Sequence, residues 1–586
     1  MCGLIGIVHK EGNVCEKIHK GLEYLQYRGY DSCGISVMED GEFYANKQIG
    51  PISGLKKNCH SGKIGIGHTR WATHGCISIK NTHPFMHKNL AIVHNGIIEN
   101  HSEIRDKYPD YHWKTGCDTE SILKSTYEHL KEYRNINDEI TDHADWNYAF
   151  EKMSEELDGS FAVAFMDLSY PDTLFFIRKG LSPLSIAVSD DFGAIASDCL
   201  ALSDMSDHVI DIENGQYGYV KAGKYEIKPG NINEKRHIIK SPKMSEKSHD
   251  TWFAHEFHTQ PMVLSNALHK FNSAFTLSDF EKPKFIDILG CGSSYYAGCV
   301  GKYWIEKYAN IMCRVQMSSE WKDLKGYDRT IALISQSGET ADTLAAFGKQ
   351  LGAHKTVGFV NTLGSSLSRA VDHVVPTFVG QEVSVASTKA MTGQMLSLFL
   401  WATKLSGVNK QDELTELFEK MSCLINKLPE NTKEVIDICA NVDDLFILAK
   451  GNLVPIAYEG ALKIKELAYV HAEAMSASEL KHGPLAMINP DSSQAIIFLA
   501  PSSSSLWSKM LSAVEEVHSR GGKVIVISDK PEKFNVNYSV KMPYIEEDLA
   551  PFLYILSMQW IAYGLAIRKG NAIDMPRNLA KSVTVE

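Results

Sequence analysis

At 586 residues the chain has room for about three or four folded units of roughly 150 residues each, which excludes a single small module. Its 44% hydrophobic and 22% charged residues mark a globular protein with several cores, not a disordered or fibrous chain. Acidic residues outnumber basic ones 71 to 60, and the net charge of -11 argues against a broad nucleic-acid-binding face, so any anionic ligand must be held locally.

Cys2 follows the initiator methionine, and its small side chain makes removal of Met1 sterically reasonable. That would place a thiol and a free α-amine on one residue. An amine with a pKa of about 8 suits a base at neutral pH, taking the thiol proton directly or through one water. The chain's twelve cysteines, scattered from Cys2 as far as Cys439, form no C-x-x-C pair, and no secretory signal opens the chain. Reduced thiols in the cytoplasm are the expectation.

The first 235 residues carry short β-like runs at Leu4 to Val8, Lys63 to Trp71, Leu90 to Gly96 and Ser160 to Asp167. Punctuated by turn residues, they predict stacked sheets with a few helices. Among them lie HTRWATHG (His68 to Gly75), HNGIIENH (His94 to His101) and GCDTE (Gly116 to Glu120). Arg70 suits a bidentate grip on a carboxylate and Asp118 an ammonium, while Asn95 with the Gly96 N–H suits an oxyanion. Together they outline a glutamine site for an attacking thiol. A surface ion pair between Arg70 and Asp118, and a plain Asn-Gly hairpin, are the alternatives.

From His237 to Thr251 the sequence turns polar and rich in lysine and serine, which reads as a linker. Beyond it, apolar strands lead into glycine or serine turns and then helices, the pattern of parallel α/β units. Strands at Phe285, Thr330 and Lys355 are answered by others at Asp443, Gln494 and Lys523, offset by about 158, 164 and 168 residues, as in a duplicated domain. In the first copy SQSGET (Ser335 to Thr340) should open a helix, where free N–H groups and the helix dipole favour a phosphate. CGSS (Cys291 to Ser294) repeats the arrangement and brings Ser294 toward the same anion. Serine-rich helix caps, and a dinucleotide turn at GCGSSYYAG that lacks the G-x-G-x-x-G spacing, are the competing readings.

In the second copy Glu459, Lys463 and Glu466 fall at i, i+4 and i+7 and share one helix face, where a carboxylate could move a proton between sugar carbons. A solvated ion-pair stripe gives the same spacing. His482 sits in a glycine-proline turn. Leu549 to Ile567 is free of charge and near the length of a membrane span, but Pro551, Ser557, Gln559 and Gly564 interrupt it, so a buried helix is expected. Lys581 lies five residues from the end.

MCGLIGI, LQYRGYDS, HTRWATHG and HNGIIENH resemble the glutaminase domain of the glutamine:fructose-6-phosphate aminotransferases, and SQSGET, CGSS, VASTKA (Val385 to Ala390) and PRNLAKSVTVE resemble their sugar isomerase (SIS) half. The resemblance implies an α/β and α+β multidomain enzyme. An Ntn-hydrolase αββα sandwich of the class II amidotransferase type covers 2–236, followed by a linker at 237–251. Two three-layer αβα SIS domains with parallel sheets follow at 252–410 and 411–570, and a tail, 571–586, enters the sugar site.

It further implies that Cys2 is the nucleophile, that Asn95 and Gly96 form the oxyanion hole, and that Arg70, Thr73, His74 and Asp118 hold glutamine, with Trp71 gating ammonia. By the same resemblance Ser294, Ser335, Gln336, Ser337 and Thr340 hold the phosphate and Val385 and Ser387 contact the sugar. Lys581 forms the imine, Glu466 is the base, His482 assists ring opening, and Lys463 and Glu459 orient groups and protons. The implied reaction makes glucosamine 6-phosphate and glutamate from fructose 6-phosphate and glutamine, the first step of hexosamine synthesis. No metal or organic cofactor, nucleic acid or membrane is called for, and family dimers supply the histidine from the neighbouring subunit. The chain departs from the family pattern at CGSS, at NTHPF, at Ser478 and most of all at FAHEFHTQP (Phe253 to Pro261). A deglycase or deaminase using the same sugar lobes, a phosphosugar sensor and an amidophosphoribosyltransferase are the rival readings. The intact Cys2 domain, the retained Glu466, His482 and Lys581, and the absence of a nucleotide-type phosphate loop speak against them in turn.

Overall fold

The computed structural model describes residues 2–583 apart from 57–59, 138–140, 231–235, 239–246, 275–281, 324–328, 350–354 and 491–492. The chain divides into two compact units, Met1–Met244 with Ser582–Glu586, and Ser245–Lys581. Most of the expected linker lies outside the described residues. Its first two positions still belong to a strand, Arg236–Ile238, paired with His208–Asp211.

The first unit is built on two antiparallel sheets of eight and six strands. Alternation along each strand sorts its side chains to two faces. In Gly3–His9, Leu4 and Val8 turn to the core between the sheets, where Ile64, Ile66, Ala91, Val93, Ala162 and Ala164 meet them. Ile5 and Ile7 turn the other way, onto Ile18 and Leu22 of the helix Cys15–Leu25. The second sheet sends Ile92, Phe161 and Phe165 outward to helices Thr119–Ile136 and Ala144–Glu156, whose Ile122, Trp146 and Phe150 cover them. The result is the αββα sandwich. Among the described residues ten cysteines are free thiols, whereas Cys15, buried where its helix begins, is disulfide-bonded, a departure from the expected all-reduced chain.

The second unit holds two parallel five-stranded sheets. In the first, strands run in the spatial order Met312–Met317, Phe285–Gly290, Thr330–Ser335, Lys355–Val360, His373–Pro376. In the other the order is His471–Ser476, Asp444–Ala449, Gln494–Leu499, Lys523–Ser528, Tyr538–Lys541. Both are 2-1-3-4-5 arrangements, so the duplication read from strand offsets is real at the level of topology. Sheets of this order bind ligands beyond the carboxyl ends of strands 1 and 3, where the strand order reverses. In the first lobe those ends carry CGSS and SQSGET.

The helix Ala550–Lys569 is apolar on nearly every face, and an all-round apolar helix must be buried. By length and hydropathy Glu547–Lys569 could cross a membrane, yet 83% of its apolar window is buried within the fold. It packs on Val454–Ala468, Gln411–Asn431 and Lys433–Ala440.

Candidate functional site

Two constellations emerge, one in each unit. In the first, Cys2 precedes the strand Gly3–His9 with its thiol buried against the Trp71 backbone: the Trp71 N–H donates to Sγ at 3.3 Å, and Sγ lies 3.5 Å from the Trp71 carbonyl. Burial pushes the thiol's pKa up, while the Trp71 N–H and the Arg70 charge pull against it. Asn95 continues the inward series of Ala91 and Val93 along Leu90–Ile98, so its amide reaches across the sandwich and donates to the Cys2 carbonyl at 2.9 Å. The same nitrogen carries a second N–H, available to an oxyanion. Asn95 and Gly96 therefore lie in mid-strand, paired with Ala162 and Phe161, and not in a hairpin turn. Gly96 has φ +128, and a Cβ there would sit 2.0 Å from the Ser160 carbonyl oxygen.

Arg70 and Asp118 are buried and serve separate partners, which disposes of the surface ion pair. The Arg70 guanidinium is 2% exposed and holds the carbonyls of His74, Gly75 and Cys76, shaping the loop that carries Thr73 and His74. Asp118 caps the helix Thr119–Ile136 through the Thr119 N–H at 3.0 Å and accepts the Ile98 N–H at 3.0 Å. His74 Nδ1 lies 3.9 Å from its Oδ2. Beneath them His83 and His94 both meet the Thr119 hydroxyl at 2.9 Å, and His68 meets the His94 carbonyl at 2.8 Å. Burial holds His68 down to about 3 and lowers His83 and His94 as well, which disfavours charge in this layer.

In the second unit, SQSGET closes on itself. Ser335 Oγ accepts the Gly338 N–H at 2.9 Å and meets Thr340 Oγ1 at 2.9 Å, while the Glu339 N–H donates to Ser337 Oγ at 3.1 Å. The helix Ala341–Lys349 follows, so the loop presents a helix start as the sequence predicts. The Gln336 carbonyl accepts the N–H of Asn361 and of Thr362, which fixes the turn to the next strand's end. From CGSS, Ser294 Oγ takes a hydrogen bond from Gln394 at 3.0 Å, and Ser293 Oγ donates to Glu459 at 2.8 Å.

That last bond joins the lobes. Glu459, Lys463 and Glu466 do share one face of Val454–Ala468: Lys463 is 3.3 Å from Glu459 and pairs with Glu466. Glu459 and Lys463 are buried and Glu466 is one-fifth exposed, so this is no solvated stripe. Burial raises the Glu459 carboxyl to about 7, Lys463 opposing and Glu466 adding to it. Burial would lower Lys463, but Glu459 and Glu466 outweigh it and hold the ammonium charged.

Lys581 is not a solvated tail lysine. Its side chain is 4% exposed and its Nζ donates to Glu382, which is fully buried. Glu382 also accepts the N–H of Thr388 at 3.0 Å, that of Ala390 at 2.9 Å and the Ser387 hydroxyl at 3.2 Å. Ala390 and Gln394 lie one turn apart on Lys389–Ser406, so this helix start links the lysine, through Glu382, to Ser294 of the CGSS loop. His482, exposed at the end of the short turn Glu479–His482, joins neither group.

Family models match the chain as a glutamine amidotransferase domain over residues 68–204 and as SIS domains over 279–404 and 438–569. The glutamine–fructose-6-phosphate aminotransferases [isomerizing] of Zymomonas mobilis and Pseudomonas putida are each 36% identical, over 100% of this chain and 100% of their own. The chain belongs to the glutamine–fructose-6-phosphate aminotransferase family. Among solved structures, the C-terminal domain of the aminotransferase from Francisella tularensis matches with TM-score 0.51 and 33% identity, covering 57% of this chain and 100% of that one. A glucosamine-6-phosphate deaminase from Thermotoga maritima, with TM-score 0.50 and 23% identity over 57% of this chain and 100% of its own, shares the fold of the two lobes.

Set against the aminotransferase family, sequence reasoning passed over Ser293, Glu256, Glu382, Gln394 and Asp574. Glu382 lies three residues before VASTKA and could have been noticed as a lone carboxylate beside a sugar motif. Gln394 and Asp574 carry no local signal, because their partners lie 100 and more than 300 residues away.

Proposed function

We propose that this chain converts fructose 6-phosphate and glutamine to glucosamine 6-phosphate and glutamate, with the residues named above in those roles. The observation that carries the reading is the buried Lys581–Glu382 pair, set at the start of the helix whose Gln394 bonds Ser294, in a chain whose other unit buries Cys2 beside Arg70 and Asn95. The domain limits 2–236, 237–251, 252–410, 411–570 and 571–586 follow the same reading.

The Cys2 thiolate attacks the side-chain amide of glutamine, held at its ends by Arg70 and Asp118 with Thr73 and His74 closing the loop and Trp71 gating. The oxyanion rests on the free Asn95 N–H and the Gly96 N–H. Ammonia leaves with a proton from the Cys2 amine, and water then cleaves the thioester to release glutamate. In the other unit Ser294, Ser335, Gln336, Ser337 and Thr340 hold the phosphate and Val385 and Ser387 the sugar. Lys581 passes its proton to Glu382 and adds to the C2 carbonyl, losing water to give an imine. Ammonia displaces the lysine, Glu466 removes a proton from C1 and returns it to C2, and the ketose imine becomes the 2-amino aldose. Net, one water is consumed at the thioester and one is released at the ketone. Glu459 and Lys463 fix Glu466 from the same helix.

His482 suits ring opening in a neighbouring subunit, since it joins no cluster among the described residues of its own chain; the protein acts as a cytoplasmic homodimer on this reading. The test is purified protein with both substrates, followed by detection of hexosamine phosphate. Cys2→Ala should lose glutamine use and keep synthesis from ammonium, and Lys581→Ala should lose both routes to sugar product. Glutamine consumption by Cys2→Ala at the parent rate would refute the nucleophile.

A further inference from the structure

The segment after Lys569 runs along the second unit as a strap with four fixed points. Asn571 Nδ2 donates to the Leu467 carbonyl at 2.9 Å, at the end of the helix that bears Glu459, Lys463 and Glu466. Asp574 follows, and its carboxylate takes the N–H groups of Trp252 at 2.8 Å and Phe253 at 2.9 Å, the first two residues of the helix Trp252–Ala274. Arg577 lies over the Tyr469 ring, 4.2 Å from its centroid, and its N–H donates to the Tyr469 hydroxyl at 2.9 Å. Lys581 ends the strap on Glu382.

Asp574 does two things at once. Its side chain supplies the acceptors that the helix start lacks, and a negative charge there is favoured by the helix dipole. Its own carbonyl accepts the Val385 N–H at 3.0 Å. One turn into the same helix, Glu256, 1% exposed, receives the N–H of Val383 and that of Ser384. Three consecutive backbone N–H groups, at 383, 384 and 385, are therefore held by Glu256 and Asp574. The neighbouring Glu382 then spends its oxygens on Lys581, Ser387, Thr388 and Ala390.

We propose that Asp574, with Glu256 as its counterpart on the helix, is a positioning residue that sets the register between the lysine-bearing strap and the 382–390 segment, so that the Lys581 amine meets the sugar carbonyl. Neither residue touches the reacting atoms. The inference rests on Lys581 forming the imine. Neither carboxylate is replaceable by a serine cap local to the helix, because each bridges segments more than 100 positions apart in sequence. A shift of about 1 Å at a reacting atom is enough to lower a rate about a hundredfold.

The experiment uses the full-length protein with saturating fructose 6-phosphate and borohydride, which delivers hydride to the imine carbon and leaves a stable secondary amine. The rate of mass gain on the peptide containing Lys581 is followed, beside glutaminase activity and the melting temperature. Parent protein should be labelled at Lys581. Asp574→Ala should be labelled at least about tenfold more slowly. Its apparent KM for fructose 6-phosphate should change by less than about threefold, with glutamine hydrolysis retained. Asp574→Asn, which keeps one acceptor oxygen for Phe253, should fall between the two, and Glu256→Gln should slow labelling in the same sense. Labelling of Asp574→Ala at the parent rate would overturn the proposal; if that variant does not fold, parent-like labelling of both Asp574→Asn and Glu256→Gln overturns it. Absence of label on the parent Lys581 would instead overturn the imine reading, and the two failures are thereby told apart.

Discussion

The two lobes of the second unit share strand order and loop positions, yet their serine loops are in opposite electrostatic states. In the first lobe the SQSGET hydroxyls bond one another and the loop's own N–H groups. In the second, the loop PSSSS (Pro501 to Ser505), which follows the strand Gln494–Leu499, is filled by the protein itself. Asp529 takes the Ser502 N–H at 2.6 Å and the Ser502 hydroxyl, and Glu547 takes the Ser504 hydroxyl at 2.9 Å and the Ser505 N–H at 3.2 Å. Two resident carboxylates stand where an anionic ligand would have to be received. Duplication thus kept the scaffold twice, while the two serine loops came to hold different partners. The second copy contributes the helix that carries Glu459, Lys463 and Glu466.

The sharpest way to break that comparison is to strip the charge that the first lobe does hold. Glu382→Ala would strip Lys581 of its paired carboxylate in a buried site, at a cost of about 3–5 kcal/mol, read as a lower urea midpoint. Adding Lys581→Met to it should recover most of the loss. A double variant as unstable as the single one would show that Glu382 acts through its backbone bonds alone.

Next in size is a paired substitution across the lobes. Ser335→Ala should raise the KM for fructose 6-phosphate about tenfold or more, in line with loss of a hydrogen bond to a charged group. Ser504→Ala, at a filled loop, should leave that KM unchanged. Equal effects in steady-state assays would mean that both loops receive substrate.

A pH series probes the join between the lobes. The Glu459 carboxyl is raised from 4.5 to about 7, so the folded state holds its proton more tightly than the unfolded chain. Its contribution is complete below the lower value and drains away as pH climbs from about 4.5 to about 7. Melting temperature across that window should therefore fall more steeply for the parent than for Glu459→Gln, which cannot ionise. Parallel curves would place the ionisation elsewhere. The smallest expected effect is that of Glu547→Gln, about 1 kcal/mol of stability by calorimetry with fructose 6-phosphate KM untouched, since it weakens only the resident cap of the second loop.

Legibility in the sequence divides along the same physical line. Strand runs such as Leu4 to Val8 and Gln494 to Leu499, and the i, i+4, i+7 face of Glu459, Lys463 and Glu466, are set by periodicity and can be read from neighbours alone. The serine loops were legible as strand-to-helix turns because a strand end and a helix start are local events. Glu256, Glu382, Gln394 and Asp574 were not, because each acquires its meaning from a partner that only the fold brings near. Arg70 shows a third case: the sequence suggests a cation free to grip a carboxylate, whereas its guanidinium is occupied by the carbonyls of its own loop, a contact no spacing announces. The disulfide at Cys15 likewise has no signature in cysteine spacing.

The apolar helix at Ala550–Lys569 carries a liability beyond its packing role. With mean hydropathy 1.4 over its most apolar window, it is kept out of bilayers and away from other copies only by the helices folded around it. Lesions that pry open the second lobe, wherever they fall, would release one greasy rod about 30 Å long. For such damaged molecules clumping or chaperone capture would outrun refolding, so heat inactivation of this protein should depend on its concentration.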